Sequence, residues 1–268
     1  MSDQKRNISV FIQVRMDSTR LPGKAMREIA GVTAIERVIE SLGPSKYLNE
    51  IVITTTTEPE DNALETLARE KNLLIYRGDR DNLVKRFLEA GEKFNSDLIL
   101  RVTGDCPAVS YEIADILIAS HIDRSADYTA AETERLPVGV CSEVISFSAL
   151  KKLNGLNLNF KLSEYLTYYF MNNPGLFSVN VVSAPKEYQF PQYRLTLDYQ
   201  EDLDMFNRLF YKLKENKLVF SLKNVLSLLN EYPDIAKFNS HLTLKYKTDS
   251  ELIAKIKEAT TIKTSSCI

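Results

Sequence analysis

Hydrophobic and polar positions alternate in blocks along the first 120 residues, and the blocks come in a regular order. Residues 8–14 form a short apolar run. A polar stretch over 15–24 follows, then an amphipathic pattern over 34–42. Ile51, Val52 and Ile53 make a second apolar run, which ends in the threonines at 54–57. Helical spacing of Leu64, Leu67 and Ala68 predicts a helix over 61–71, and 73–76 reads as a third strand. Leu83, Phe87, Ala90 and Phe94 predict a helix over 82–94. Leu98, Ile99, Leu100 and Val102 form a fourth strand, followed by a helix over 113–120. Wholly apolar strands separated by amphipathic helices predict an α/β fold, with a mostly parallel sheet covered on both faces. Such sheets bind ligands beyond the carboxyl ends of their strands.

After residue 123 the regularity fades. Residues 138–145, 177–182 and 193–197 read as strands. Residues 165–171 form an aromatic helical stretch, and 201–214 a longer helix. Further helices are expected near 225–229 and 251–257. There is no internal repeat and no low-complexity linker. The reading is one domain over 1–268, with an inserted segment at about 124–190 and a helical extension at about 215–268. The last residues are expected to be loose.

Composition narrows the function classes. The chain carries 36 acidic and 34 basic residues, a net charge of −2. A basic excess would be expected of a non-specific nucleic-acid binder, so none is predicted as a partner. The longest uncharged stretch, 165–185, contains Asn172, Asn173, Pro174 and Gly175. It reads as helix, turn and strand, not as a membrane span. The apolar run at 8–14 is too short for a signal peptide. Cys106, Cys141 and Cys267 are odd in number and far apart. They predict a reducing, cytoplasmic setting without a disulfide framework. Cys267 stands second from the end, so the tail is not a prenylation signal.

Three stretches carry candidate chemistry. Residues 15–24 leave the first strand and hold Arg15, Arg20 and Lys24, with Met16, Ser18, Thr19 and Gly23 among them. Clustered cations, small donors and backbone N–H groups on such a loop suit polyphosphate; a solvated basic loop is the plain alternative. The stretch is not a Walker loop, because position 18 is serine and Ala25 follows the lysine. The second stretch, Arg101 to Pro107, brings Thr103, Gly104 and Asp105 to the end of the fourth strand. Asp105 suits a metal ion or a helix cap. The third, Arg194 to Asp198, delivers Asp198 at a strand end, ahead of Glu201 and Asp202. Magnesium takes one or two carboxylates together with substrate phosphates, which Asp105 and Asp198 could supply; Asp198 as an N-cap is the plain alternative. His121 and His241 lie beside none of these blocks and are expected to serve packing or surface roles.

QVRMDSTRLPGK at 13–24 resembles the signature of the cytidylyltransferase family that makes CMP-activated sugars, which includes the CMP-Kdo and CMP-acylneuraminate synthetases. Within it, the branch of spore-coat polysaccharide biosynthesis is most similar. RVTGDCP (101–107), PVGVCSEVIS (137–146), SEYLTYYF (163–170) and RLTLD (194–198) resemble its later blocks in the right order. The resemblance implies a single Rossmann-like nucleotidyltransferase domain, GT-A-like, with an inserted dimerisation segment and a homodimeric assembly. It implies transfer of CMP from CTP to a sugar acid or related acceptor, with Mg2+ as cofactor. Arg15 and Lys24 would bind the triphosphate, with Met16, Ser18, Thr19 and Arg20 around it. Thr55 and Thr56 would lie near the base, and Arg86 would face the nucleotide, as would Thr103 and Gly104. Asp105 and Asp198 would hold magnesium. Glu143, Glu164 and Arg194 would stand on the acceptor side. The family's Arg and His in the fourth block are Ser163 and Tyr165 here, which leaves the acceptor open.

Two other enzyme classes compete. A glycosyltransferase using a nucleotide sugar would need an Asp-x-Asp metal site, which Asp79-Arg80-Asp81 matches in pattern. A guanylyltransferase of the same fold would differ in base alone. A nicotinamide dehydrogenase is disfavoured, because no GxGxxG follows the first strand. A non-catalytic scaffold would have no use for Lys24, Asp105 and Asp198 together.

Overall fold

The computed structural model describes residues 6–156, 158–160 and 162–263. Cys267 and the rest of the tail beyond 263 lie outside the described residues. The chain runs β1 (Ile8–Gln13), β2 (Glu28–Ile29), β3 (Val32–Thr33), α1 (Ala34–Leu42), β4 (Glu50–Thr56), α2 (Asn62–Lys71), β5 (Leu74–Gly78), α3 (Leu83–Lys93), β6 (Leu98–Thr103) and α4 (Tyr111–Arg124). It continues with β7 (Tyr128–Ala131), β8 (Glu143–Ser146), α5 (Phe147–Gly155), α6 (Leu166–Met171), β9 (Val179–Val182), α7 (Gln200–Glu215), α8 (Leu222–Glu231), α9 (Pro233–Lys237), α10 (Lys245–Thr248) and α11 (Ser250–Thr260).

Seven strands form one sheet in the order β5-β4-β1-β6-β8-β7-β9. β5, β4, β1 and β6 are parallel. β8 runs antiparallel to both β6 and β7, and β9 is parallel to β7. The middle segment therefore extends the same sheet. β1, β4 and β6 are largely buried on both faces, as their sequence predicts, whereas β5 at the sheet edge is half-buried, with Leu74 exposed. Val10 and Ile12 of β1 face α1, α4, α7 and α8, whereas Phe11 faces α3, α5 and α6. The chain turns back at β1: the later strand β6 pairs on one side of it and β4 on the other. The ends of β1 and β6 thus lie side by side, Gln13 opposite Thr103, at the crevice where open α/β sheets bind ligands.

Three expectations are corrected. The strand expected over 138–145 is regular only as β8, because Val138 makes a single bridge, to Arg194. Gly139 has φ +92°, and a Cβ there would lie 2.0 Å from the Leu195 carbonyl oxygen, so only glycine lets the two segments touch. Residues 193–197 are extended but join no ladder. Leu195 N donates to Val138 O at 2.7 Å and Leu197 N to Asp105 O at 2.7 Å. β7 and α5 were not expected. The YTAA of β7 has no long apolar run, and α5 starts directly after β8 with no polar loop between them.

Candidate active site

The loop after β1 is fixed by one buried carboxylate. Asp61, just before α2, accepts from Met16 N (2.8 Å), Thr55 Oγ1 (2.8 Å), Thr56 N (3.0 Å) and Thr56 Oγ1 (2.5 Å). Burial pushes its pKa up, but these donors outweigh burial and hold it below the usual carboxylate range. The hydroxyls of Thr55 and Thr56 are thus engaged with Asp61, and Met16 contributes its backbone. Ser18 Oγ accepts from Leu21 N at 3.4 Å. Thr19 and Arg15 are exposed, and Arg15 pairs loosely with Asp17 (3.4 Å).

Lys24, Asp105 and Asp198 meet. Lys24 Nζ donates to Asp105 Oδ2 at 2.7 Å and to Asp198 Oδ1 at 2.9 Å. Arg20 Nη2 donates to Asp198 Oδ1 at 2.6 Å, with its guanidinium over the Tyr199 ring. Arg194 Nη2 reaches Asp198 Oδ2 at 3.1 Å, and Arg194 Nε reaches Asp202 Oδ1 at 2.8 Å. Burial works against the Lys24 ammonium, yet the two carboxylates raise its pKa above the ordinary lysine value. Burial likewise opposes ionisation of Asp105, and Lys24 prevails to hold it low. Gly104 sets the position of Asp105. Its N–H donates to Gln13 O at 2.8 Å, and a Cβ on it would lie 2.6 Å from Val14 Cβ. Thr103 Oγ1 and Cys106 Sγ are 3.1 Å apart.

Arg86 is buried on α3, and its Nε has no hydrogen-bond partner among the described residues. Among the described residues its side chain makes one hydrogen bond, a long one from Nη1 to Asp79 O (3.3 Å). Burial and the nearby Arg15 push its pKa down to about 10. Asp61 and Asp79 pull the other way without outweighing them. Glu143 pairs with Arg101 Nη1 at 2.9 Å. Arg101 also holds Gln13 Oε1 (3.1 and 2.9 Å) and the Glu164 carbonyl (3.0 Å), while Glu164 itself is exposed. Arg194, expected on the acceptor side, is placed on Asp198 and Asp202, and its Nη1 is buried without a hydrogen-bond partner among the described residues.

The sequence reading missed the supporting residues. From the sequence Asp61 reads only as the start of a helix, and Asp202 takes no role of its own beside Asp198. Asp202 is the N3 residue of a capping box on α7, accepting from Asp198 N (2.9 Å) and Tyr199 N (3.0 Å). The cap is therefore Asp202, and the Asp198 carboxylate is left for the Lys24 cluster. Asp79 Oδ1 accepts from Asp81 N (3.0 Å) and Asn82 N (2.9 Å) in the turn before α3, which accounts for the Asp-x-Asp pattern.

Comparisons with known proteins give the family. A family model described as Cytidylyltransferase matches residues 9–227. Spore coat polysaccharide biosynthesis protein SpsF of Bacillus subtilis is 34% identical over 235 residues, covering 86% of this chain and 97% of that protein. A 3-deoxy-manno-octulosonate cytidylyltransferase of Francisella philomiragia is 28% identical over 166 residues, covering 61% of this chain and 62% of that protein. The solved structure of a cytidylyltransferase from Leptospira borgpetersenii superposes with a TM-score of 0.78 at 27% identity, covering 89% of this chain and 99% of the other. No described helix is long and apolar enough to cross a membrane. The chain belongs to the cytidylyltransferase family.

Proposed function

We propose that this cytidylyltransferase transfers CMP from CTP to a sugar acid or related acceptor, with release of pyrophosphate, for a surface polysaccharide or glycan. The observation that carries the reading is the convergence of Lys24, Asp105 and Asp198 where β1 and β6 end. The name of the Francisella relative supports the acceptor class, and that of the Bacillus relative the polysaccharide role.

An acceptor oxygen attacks the α-phosphorus of CTP. The bond from that phosphorus to the bridging oxygen breaks, and its electron pair leaves on pyrophosphate. An acceptor hydroxyl passes its proton to solvent water or to the departing pyrophosphate in the same exchange. Such chemistry is driven mainly by positioning and charge neutralisation. Lys24 and Arg20 supply fixed positive charge beside the phosphates. Arg15 at the rim and Arg86 behind it offer two further cations. Thr55 and Thr56, clamped on Asp61, wall the base side together with Thr103 and Gly104. Glu143 and Glu164, gathered by Arg101, stand on the acceptor side.

The donor set fits Mg2+. Two carboxylates lie within hydrogen-bond reach of one ammonium, so they can reach one cation, and substrate phosphates and waters would complete the shell. No group of three or more His, Cys, Asp or Glu able to hold a metal occurs among the described residues, so the nucleotide would share in holding the ion. Asp105 and Asp198 would be its ligands. When bound, Mg2+ neutralises charge on the phosphate oxygens.

Thermal unfolding with CTP, GTP, UTP or ATP, each with Mg2+, tests the reading beside UDP- and GDP-sugars. CTP at 100 times its Kd is expected to add about 2.7 kcal/mol, a shift of several degrees, with the other nucleotides weaker. Stabilisation by GTP in preference would make the protein a guanylyltransferase. Stabilisation by a nucleotide sugar with CTP silent would overturn the reading.

A further inference from the structure

The segment that follows the family's matched residues packs behind Asp198, against Asp202 and Arg194. Asn239 lies just after α9, outside 9–227, and is 1% exposed. Its Nδ2 donates to Asp202 Oδ1 at 2.8 Å and to the Arg194 carbonyl at 3.0 Å. Leu242 N donates to the Asn239 carbonyl at 3.0 Å, closing a turn that holds the residue in place.

Asp202 is fully buried, and every donor around it matters to Asp198. It receives Arg194 through Nε (2.8 Å) and Nη2 (3.1 Å), and the backbone N–H of Asp198 (2.9 Å) and of Tyr199 (3.0 Å). The Arg194 Nη2 that touches Asp202 also holds Asp198 Oδ2 at 3.1 Å. With Oδ2 fixed, Oδ1 is aimed at Lys24 and Arg20. A continuous path of hydrogen bonds thus runs from Asn239 through Asp202 and Arg194 to Asp198. An amide suits position 239 because it is neutral and donates to two acceptors at once. A carboxylate there would face Asp202 in a dry interior.

We propose that Asn239 is a positioning residue for Asp198: it locks the Asp202–Arg194 pair, so that the C-terminal extension sets the geometry of the carboxylate that receives the metal with its nucleotide. The proposal rests on the cytidylyltransferase reading above. Groups behind a metal ligand commonly change metal affinity by 10–100-fold when removed. A residue that merely packed would alter stability alone.

The test is CTP binding by calorimetry across a Mg2+ series, for the wild type and Asn239→Ala, with thermal unfolding of both. The wild type is expected to bind CTP with a defined half-saturating Mg2+ concentration. In Asn239→Ala that concentration is expected to rise about tenfold, while the weaker affinity for CTP without Mg2+ stays the same. If Asn239→Ala does not fold, Asn239→Ser keeps one donor and is expected to show a smaller rise in the same direction. A folded variant with an unchanged Mg2+ requirement, whatever its melting temperature, overturns the proposal. Wild-type protein that ignores CTP at every Mg2+ concentration overturns instead the nucleotide reading beneath it.

Discussion

In Lys24→Ala the carboxylates of Asp105 and Asp198 would face each other without the ammonium that now lies 2.7 and 2.9 Å from them. Asp198 keeps Arg20 and Arg194, so the loss falls mostly on Asp105, which has no other charged partner as close. Leaving one partner of a largely buried pair uncompensated costs about 3 kcal/mol. The sign follows from the raised pKa of Lys24. Its contribution is complete below the unfolded value of 10.5 and is lost only as pH rises through the higher folded value. At neutral pH Lys24→Ala is therefore expected to melt several degrees lower. If Asp105 and Asp198 can share one cation, added Mg2+ should restore more of that loss in Lys24→Ala than it adds to the wild type. Melting curves with and without Mg2+, in the absence of nucleotide, check this. Equal gains in both proteins would show that the two carboxylates do not act as a metal pair.

At the scale of elements, what was legible follows from where the physical signal lies. β1, β4 and β6 are apolar over most of their length because both of their faces are covered, and the alternation of Phe11 with Val10 and Ile12 between two cores is that cause made visible. Lys24, Asp105 and Asp198 were readable as candidates because Lys24 lies on the loop that leaves β1 and the two aspartates follow the ends of apolar segments, where chemistry belongs in such sheets. Asp61 and Asp202 were not, because each stands at a helix start, where an acid is ordinary, and their further partners do not change that local pattern. Asn239 was not, because it bonds to Asp202 and Arg194, 37 and 45 residues away, and no local pattern marks that. The same reason hid how the C-terminal helices attach. Thr260, wholly buried at the end of α11, accepts from Asn172 Nδ2 (2.8 Å) and donates to Ile256 O (2.7 Å). Its carbonyl accepts from Asn173 Nδ2 (2.8 Å), and Asn173 Oδ1 accepts from Ile262 N (2.8 Å). α11 is thereby clasped to α6, the helix of the fourth family block. Thr260→Val keeps the shape and removes the hydroxyl, at a cost of about 1 kcal/mol. Hydrogen exchange is expected to quicken in α11 and at Ile262 while β1 and β6 stay protected. Uniform quickening across the sheet would mean that α11 is not a separate clasp.

At the scale of the whole molecule, His121 makes stability depend on pH in a window of its own. It is 1% exposed on α4, with Nδ1 2.9 Å from Thr129 Oγ1 on β7 and Nε2 2.9 Å from Ser146 Oγ at the end of β8. Ser146 commits its hydroxyl proton to Ala126 O (2.7 Å), so it accepts from Nε2–H, and Nδ1 is left to accept from Thr129. A second proton would force Nδ1 to donate toward a hydroxyl that already donates to it. Burial first, and Arg6 second, against the opposing pull of Asp127, lower the His121 pKa from 6.5 to about 4. The unfolded chain takes up a proton between those values and the folded chain does not. Stability is thus flat above about pH 6.5 and falls as pH drops toward 4, by an amount on the order of 3 kcal/mol. Asp61 and Asp105, whose pKa values are lowered, lose their contributions only below about pH 4, so the windows separate. His241, the other histidine, is exposed. Denaturant unfolding at a series of pH values is expected to show this slope in the wild type. His121→Asn should be less stable at pH 7 yet nearly level from 6.5 to 4, because the group that couples α4 to β7 and β8 no longer titrates. An equal slope in both proteins would place the acid sensitivity elsewhere and return His121 to a packing role.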